Sequence, residues 1–172
     1  MTIEIRTATV ADLSLIEALH RVSWQFAYKG MVTDAFLADE VPRIMARKWE
    51  SYPSDDWIVL LASVEGKAAG FVALDMAHEG GPYVDNLHVA PESHGRGLGR
   101  ALMGEMAVRV ARKGGASIWL TVIRENLGSR AFYRRIGGRE AGEQDDDLFG
   151  QPIVSVPVHW EDLDTLARLR HR

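Results

Sequence analysis

The stretch Val84-Asp85-Asn86-Leu87-His88-Val89-Ala90-Pro91-Glu92-Ser93-His94-Gly95-Arg96-Gly97-Leu98-Gly99-Arg100-Ala101-Leu102-Met103 decides the reading of the fold. Val84, Leu87 and Val89 interleave with Asp85, Asn86 and His88 as in a strand, and Pro91, which has no amide hydrogen to donate, ends the ladder. Gly95, Gly97 and Gly99 let the backbone turn and come close to a ligand. Leu98, Leu102, Met106 and Val110 then open a helix at near-helical spacing. The first amides of a helix have no intrahelical partner, so with the helix dipole they make its N-terminus a site for a phosphate. Arg96 and Arg100 add positive charge to that cradle.

Two phosphate loops are excluded by the residues themselves. A Walker loop needs Gly-Lys followed by Ser or Thr, whereas Gly99 precedes Arg100 and Ala101. A dinucleotide fingerprint starting at Gly95 or Gly97 needs Gly or Ala at a third position, where Arg100 or Leu102 stands. The loop instead resembles the acyl-coenzyme A loop of the GCN5-related N-acetyltransferase superfamily, Gln/Arg-x-x-Gly-x-Gly/Ala, read here as His94-Gly95-Arg96-Gly97-Leu98-Gly99. His94 departs from the usual first residue, and a histidine can still donate a hydrogen bond or carry charge there.

A second motif follows at the distance of one helix and one strand. The helix from Leu98 to about Arg112 ends at Lys113-Gly114-Gly115, and Ile118–Val122 reads as a buried strand. Asn126-Leu127-Gly128-Ser129-Arg130-Ala131-Phe132-Tyr133 then starts a helix with Asn126 as N-cap and Gly137 as C-cap. This resembles the superfamily pattern Asn-x-x-Ala/Ser-x-x-Phe-Tyr followed by Gly-Phe, with Gly138 in place of that last Phe. Ser129 and Tyr133 are four apart and share a helix face, which can turn Tyr133 toward a ligand; Phe132 and Tyr133 also suit a core.

The rest of the chain sets the architecture. Ile3 and Ile5 suggest a first strand, and Thr9 precedes a helix over 10–20 with apolar residues at 13, 16 and 19 or 20. Trp24, Phe26 and Tyr28 lead through Lys29-Gly30 to a second helical region, Asp34 to Glu50, interrupted near Pro42. Trp57–Ser63 and Gly70–Ala77 read as a hairpin joined by Glu65-Gly66-Lys67. Ile153–His159 is the last strand, where Pro157 fits an edge or a bulge better than a central position. The fold class is therefore α/β (α+β mixed): a central mixed, mostly antiparallel sheet flanked by helices, and by resemblance the acyl-CoA N-acyltransferase fold. Residues 1–172 read as one domain.

Composition narrows the function classes. The formal net charge of −4 gives no overall footprint for nucleic acid. No stretch is long and apolar enough for a membrane span, and the N-terminus lacks the blocks of a signal peptide, so a soluble, cytoplasmic protein is expected. The absence of cysteine excludes a covalent acyl-cysteine mechanism and thiolate metal ligands, and the six histidines lack metal-site spacing, so no metal is expected.

The resemblance implies acetyl-coenzyme A as cofactor and direct transfer of its acetyl group to a primary amine of a small molecule or peptide. It implies that the backbone of Leu87, His88 and Val89 binds the pantetheine arm, and that His94, Gly95, Arg96, Gly97, Leu98, Gly99 and Arg100 hold the pyrophosphate. Asn126 and Ser129 position the cofactor, and Tyr133 is the acid that protonates the departing sulfur. Asp85 is the candidate base, acting through a water, or else a binder of a cation or a backbone amide. By strand alternation Tyr83 and Asp85 share a face with Leu87, while His88 points away and packs. Trp24, Tyr28 and Tyr83 are candidate walls of the acceptor site. Glu140, Glu143, Asp145, Asp146 and Asp147 crowd the expected turn before the last strand, where they can steer a cationic acceptor or form a solvated charge run. A homodimer is suggested by resemblance alone. The alternative class is a noncatalytic acyl-coenzyme A sensor that reports to a protein partner.

Overall fold

Strand periodicity and helix stripes assemble into one eight-stranded sheet in the computed structural model, which describes residues 2–171. The strands are β1 (Ile3–Thr7), β2 (Trp57–Val64), β3 (Lys67–Asp75), β4 (Tyr83–Val89), β5 (Ile118–Ile123), β6 (Arg139–Glu140), β7 (Gln144–Leu148) and β8 (Gln151–Trp160). Their order is β1-β2-β3-β4-β5-β8-β6, with β7 also paired to β8. Every pairing is antiparallel except that of β4 with β5, whose register is the single pair Tyr83 and Trp119. Beyond that rung the two parallel strands part, and the sheet opens into a wedge.

Helices cover the two faces unequally. α1 (Leu13–Ala27) buries Leu13, Ile16, His20, Ser23 and Trp24 at helical spacing, and α2 is Val41–Lys48. With a preceding π-helical turn, Phe36–Glu40, they lie over the first half of the sheet. α3 (Leu98–Arg112) packs on the opposite face, where Leu102, Met103, Met106, Ala107 and Val110 meet Leu60, Val72, Leu74, Leu120 and Val158. α4 (Leu127–Arg135) and the terminal α5 (Leu163–Ala167) add Phe132, Tyr133, Leu163 and Leu166 to that core.

Several sequence expectations change. The first helix is longer than residues 10–20: a 3₁₀ turn over Val10–Asp12 leads into α1, which runs through Trp24 and Phe26 to Ala27. The second helical region does break near Pro42, as a change of helix type: the π-helical turn Phe36–Glu40 gives way to α2 at Val41, with Pro42 in the first turn of α2. The acidic run 144–148 is strand β7, not a turn; the chain reverses at Phe149 (φ 51°) and Gly150 (φ 83°). β8 is an interior strand, between β5 on one side and β6 and β7 on the other. Pro157 is tolerated because its carbonyl accepts from the amide of Ala141 at 2.8 Å, at the break between β6 and β7. Its nitrogen faces that gap, where no ladder bond is lost.

Gly138 also finds its reason. A Cβ there would lie 2.6 Å from Val158 Cγ1 and 2.7 Å from Trp160 Cζ2. Trp160 of β8 fills the space, donates to the carbonyl of Ile136 at 3.1 Å and meets Tyr133 edge-on at 5.7 Å between ring centroids.

Candidate active site

The wedge between β4 and β5 opens into a cavity of about 1200 Å³. The sequence-derived site residues all border it: Tyr133 and Asp85; Leu87, His88 and Val89; His94, Gly95, Arg96, Gly97, Leu98, Gly99 and Arg100; Asn126 and Ser129; and Trp24, Tyr28 and Tyr83.

One end is built by the glycine turn. Gly95 and Gly97 have φ of 75° and 83°, backbone that a side chain rarely adopts. Gly97 sits just ahead of α3, and a Cβ on it would lie 3.2 Å from the Arg100 guanidinium, which folds back over the turn. Gly99 is inside α3, and a Cβ there would lie 3.1 Å from Phe132 Cζ, so the loop and α4 pack directly on one another. His94 Nε2 lies 2.9 Å from the carbonyl oxygen of Val89, tying the turn to the end of β4. Asn126 caps α4 as expected, its Oδ1 accepting from the Ser129 amide at 3.1 Å. The N-terminus of α3, left-handed glycines and a parted pair of strands fit a pyrophosphate and an extended arm.

On β4 the expected alternation fails at Asp85. Val84 lies opposite Leu74 and Asn86 opposite Ala73, so Asp85 is the extra residue of a β-bulge without a partner on β3. Val84 and Leu87 consequently pack into the same core beside α3, and Asp85 does not share Leu87's face by simple alternation. The bulge leaves Asp85 exposed at the cavity, where Lys48 Nζ lies 2.5 Å from Oδ2 and Asn86 Nδ2 donates to the same oxygen. Lys48, at the end of α2, is a site residue that the sequence reading missed.

His88 packs on the α1 side, as expected from its place on β4. Its Nδ1 lies 2.9 Å from Ser23 Oγ, and its ring stands 4.6 Å from His20 and 5.7 Å from Phe71. Trp49 Nε1 donates to His20 Nδ1 at 2.9 Å. Burial first, then the charge of Lys48, draws His88 down to about 3; burial, His88 and Lys48 hold His20 well below its ordinary value. Both imidazoles are neutral at pH 7, and His88 is too weakly basic to keep an amine proton.

The opposite wall is one face of three strands: Thr121 and Ile123 of β5, Ser155 and Ile153 of β8, and Asp146 and Leu148 of β7. Ser155 is 1% exposed and its hydroxyl has no hydrogen-bond partner among the described residues, a polar atom suited to a polar ligand group. Tyr83 bonds Thr121, oxygen to oxygen at 3.0 Å. Trp24 is both core and wall: it packs with Phe36, Val41 and Met45, and its ring lies tilted against Tyr28 at 4.3 Å and Phe149, from the β7–β8 turn, at 5.9 Å between centroids. Three phenols converge here. Burial pushes Tyr28 up to about 12, and burial followed by Tyr28 and Tyr83 pushes Tyr133 above the ordinary phenol range. Each stays protonated at neutral pH and able to donate.

The acidic cluster divides. Glu140 is held by Arg130 at 2.8 and 3.0 Å and by Arg134 at 3.0 Å, and Glu143 pairs with Arg124 at 3.4 Å. Asp146 and Asp147 border the cavity; Asp145 projects from the other face of β7. Among the described residues no cluster of His, Cys, Asp or Glu could hold a metal, and no helix is long and apolar enough to cross a membrane.

Known proteins are similar to this chain in sequence and in fold. The chain is 24% identical over 176 residues to the uncharacterized N-acetyltransferase YuaI of Bacillus subtilis, covering 99% of each chain. It is 24% identical over 143 residues to the spermidine N(1)-acetyltransferase of Thermoplasma acidophilum, covering 80% of this chain and 88% of that one. The crystal structure of the PaiA N-acetyltransferase of Thermoplasma acidophilum with coenzyme A superposes with a TM-score of 0.67 at 22% identity, over 91% of this chain and 98% of that one. Residues 17–138 match the acetyltransferase (GNAT) family, and the chain belongs to that family.

Proposed function

We propose that this protein is an acetyl-coenzyme A-dependent N-acetyltransferase whose acceptor is a small cationic primary amine. The observation that carries the reading is the wedge itself: β4 and β5 part after the Tyr83–Trp119 rung, directly below the Gly95–Gly99 turn, with Tyr133 bordering the same cavity. Coenzyme A in the PaiA structure supports the choice of cofactor.

When bound, acetyl-coenzyme A supplies an acetyl thioester. The amides opening α3 and the guanidinium groups of Arg96 and Arg100 hold its pyrophosphate. Backbone of Leu87–Val89 pairs with the arm like an added strand and polarises the thioester carbonyl. Asn126 Nδ2 and Ser129 keep the arm in line. Asp85 takes the proton of the attacking amine, through a water because its side chain is short, and Tyr133 Oη gives a proton to the departing sulfur. Asp146 and Asp147 draw a cationic acceptor toward the wall formed by Trp24, Tyr28 and Tyr83. Phe149 and Trp24, 5.9 Å apart, narrow that end and favour a small amine over a protein N-terminus.

The test is thiol release from acetyl-coenzyme A with a panel of monoamines, polyamines and peptides, with the product identified by mass. Acetylation of at least one small cationic amine is expected. Tight binding of acetyl-coenzyme A with no turnover on any acceptor would favour the noncatalytic sensor.

A further inference from the structure

Only four of the 20 basic residues are lysines: Lys29, Lys48, Lys67 and Lys113. Lys29, Lys67 and Lys113 are exposed, whereas Lys48 is half-buried and borders the cavity. Its ammonium lies 2.5 Å from Asp85 Oδ2, and Trp49 and Trp57 flank it with ring centroids at 5.9 and 5.6 Å. Its charge also acts on His88, a neighbour of Asp85 on β4. An amine of the chain is therefore held by the carboxylate read as the base, in the cavity where an acceptor amine would wait.

We infer that Lys48 is an internal acceptor, acetylated at Nζ from the protein's own acetyl-coenzyme A when no external amine is present. This rests on the transferase reading above. Asp85 takes one proton from the Lys48 ammonium, and Nζ forms a bond to the acetyl carbonyl carbon as the carbon–sulfur bond breaks. The nitrogen loses its second proton as the amide forms, and the sulfur receives one through Tyr133. The products are N-acetyl-lysine at position 48, coenzyme A as its thiol, and one proton passed from Asp85 to solvent. Guanidinium groups, permanently protonated, do not compete in this chemistry. The modified side chain has no charge, so the Lys48–Asp85 ion pair is lost and Asp85 is freed for an external amine.

The experiment has three readouts on wild type, Lys48→Arg and Asp85→Asn. Calorimetry measures acetyl-coenzyme A binding. Peptide mass spectrometry follows acetylation without added acceptor. Brief labelling with an amine-reactive anhydride, with no cofactor present, ranks the four lysines.

The expected result is anhydride protection of Lys48 that Asp85→Asn relieves. With cofactor, Lys48 is acetylated about tenfold or more faster than the other three lysines, as proximity gives, at a rate constant independent of protein concentration. Lys48→Arg should bind cofactor and acquire no fast-reacting site. Binding without preferential acetylation of Lys48, a rate that scales with protein concentration, or anhydride reactivity equal at all four lysines would overturn the inference alone. Failure to bind acetyl-coenzyme A would overturn the transferase reading, and this inference with it.

Discussion

Tyr83 and Trp119 form the one rung joining β4 to β5, and their rings lie 4.7 Å apart. Trp119 is fixed further by its amide, bonded to the Pro82 carbonyl at 3.1 Å, and by its indole N–H, bonded to the Gly81 carbonyl at 3.2 Å. Gly80 has no room for a Cβ, which would stand 2.7 Å from Trp119 Cζ2. The wedge is thus hinged at one tryptophan. Trp119→Ala should lower stability by about 3 kcal/mol, the scale of losing a packed aromatic ring. It should also raise the KM for acetyl-coenzyme A about tenfold as the strands lose their spacing. Denaturant melts and steady-state kinetics check both effects.

Tyr133→Phe removes the phenol proton and keeps the ring that meets Trp160. Turnover should fall about 100-fold, the usual scale of a lost general acid, with cofactor affinity unchanged. Because the Tyr133 phenol is held above its ordinary range, wild-type turnover should show no loss from its ionisation up to pH 10. Equal rates for wild type and variant across that range would remove Tyr133 from the chemistry.

Asp146 and Asp145 are neighbours on β7 that face opposite ways, which gives a matched pair of variants. Asp146→Asn should raise the KM of a cationic acceptor roughly threefold at low salt, and the difference should shrink as salt screens it. Asp145→Asn should leave that KM alone. Identical effects from both would assign the acidic strand to solvation.

His88 makes stability depend on pH. Its folded-state value of about 3 lies below the ordinary 6.5, so the unfolded chain binds the extra proton first as pH falls. The stability is present above pH 6.5 and is lost progressively toward pH 3. Lowering the pH from 7 to 5 should cost about 2 kcal/mol from this residue. His20 is lowered in the same direction and adds to the slope. His88→Gln should flatten the dependence of denaturant midpoint on pH over that interval; an unchanged slope would show that His88 binds its proton equally well in the folded and unfolded chains.

What could be read from the sequence was local. The Gly95–Gly99 turn, the Asn126 cap, the strands 84–89 and 118–122, and the Glu65-Gly66 hairpin each follow from the conformational limits of a few adjacent residues. The cavity gathers the residues those motifs named because the motifs sit at the ends of strands that part. Lys48 was not legible: a lysine at a helix C-terminus is an ordinary dipole partner, and its approach to Asp85 spans 37 positions of chain. The Asp85 bulge left no mark either, since the register depends on what β3 places opposite. Pro157 and the β7 strand followed the same rule. A proline speaks against an interior strand and an acidic run against any strand, and the pairing of β8 with β5 and of β7 with β8 decided otherwise.

In the proposed function the α3 turn and the parted β4 backbone together hold the cofactor. Amide hydrogen exchange with and without coenzyme A tests this at the atoms concerned. The amides of Leu98–Arg100 and of Leu87–Val89 should slow together on binding, with smaller changes elsewhere in the sheet. Saturation with coenzyme A that leaves both segments exchanging at their free rates would contradict the account.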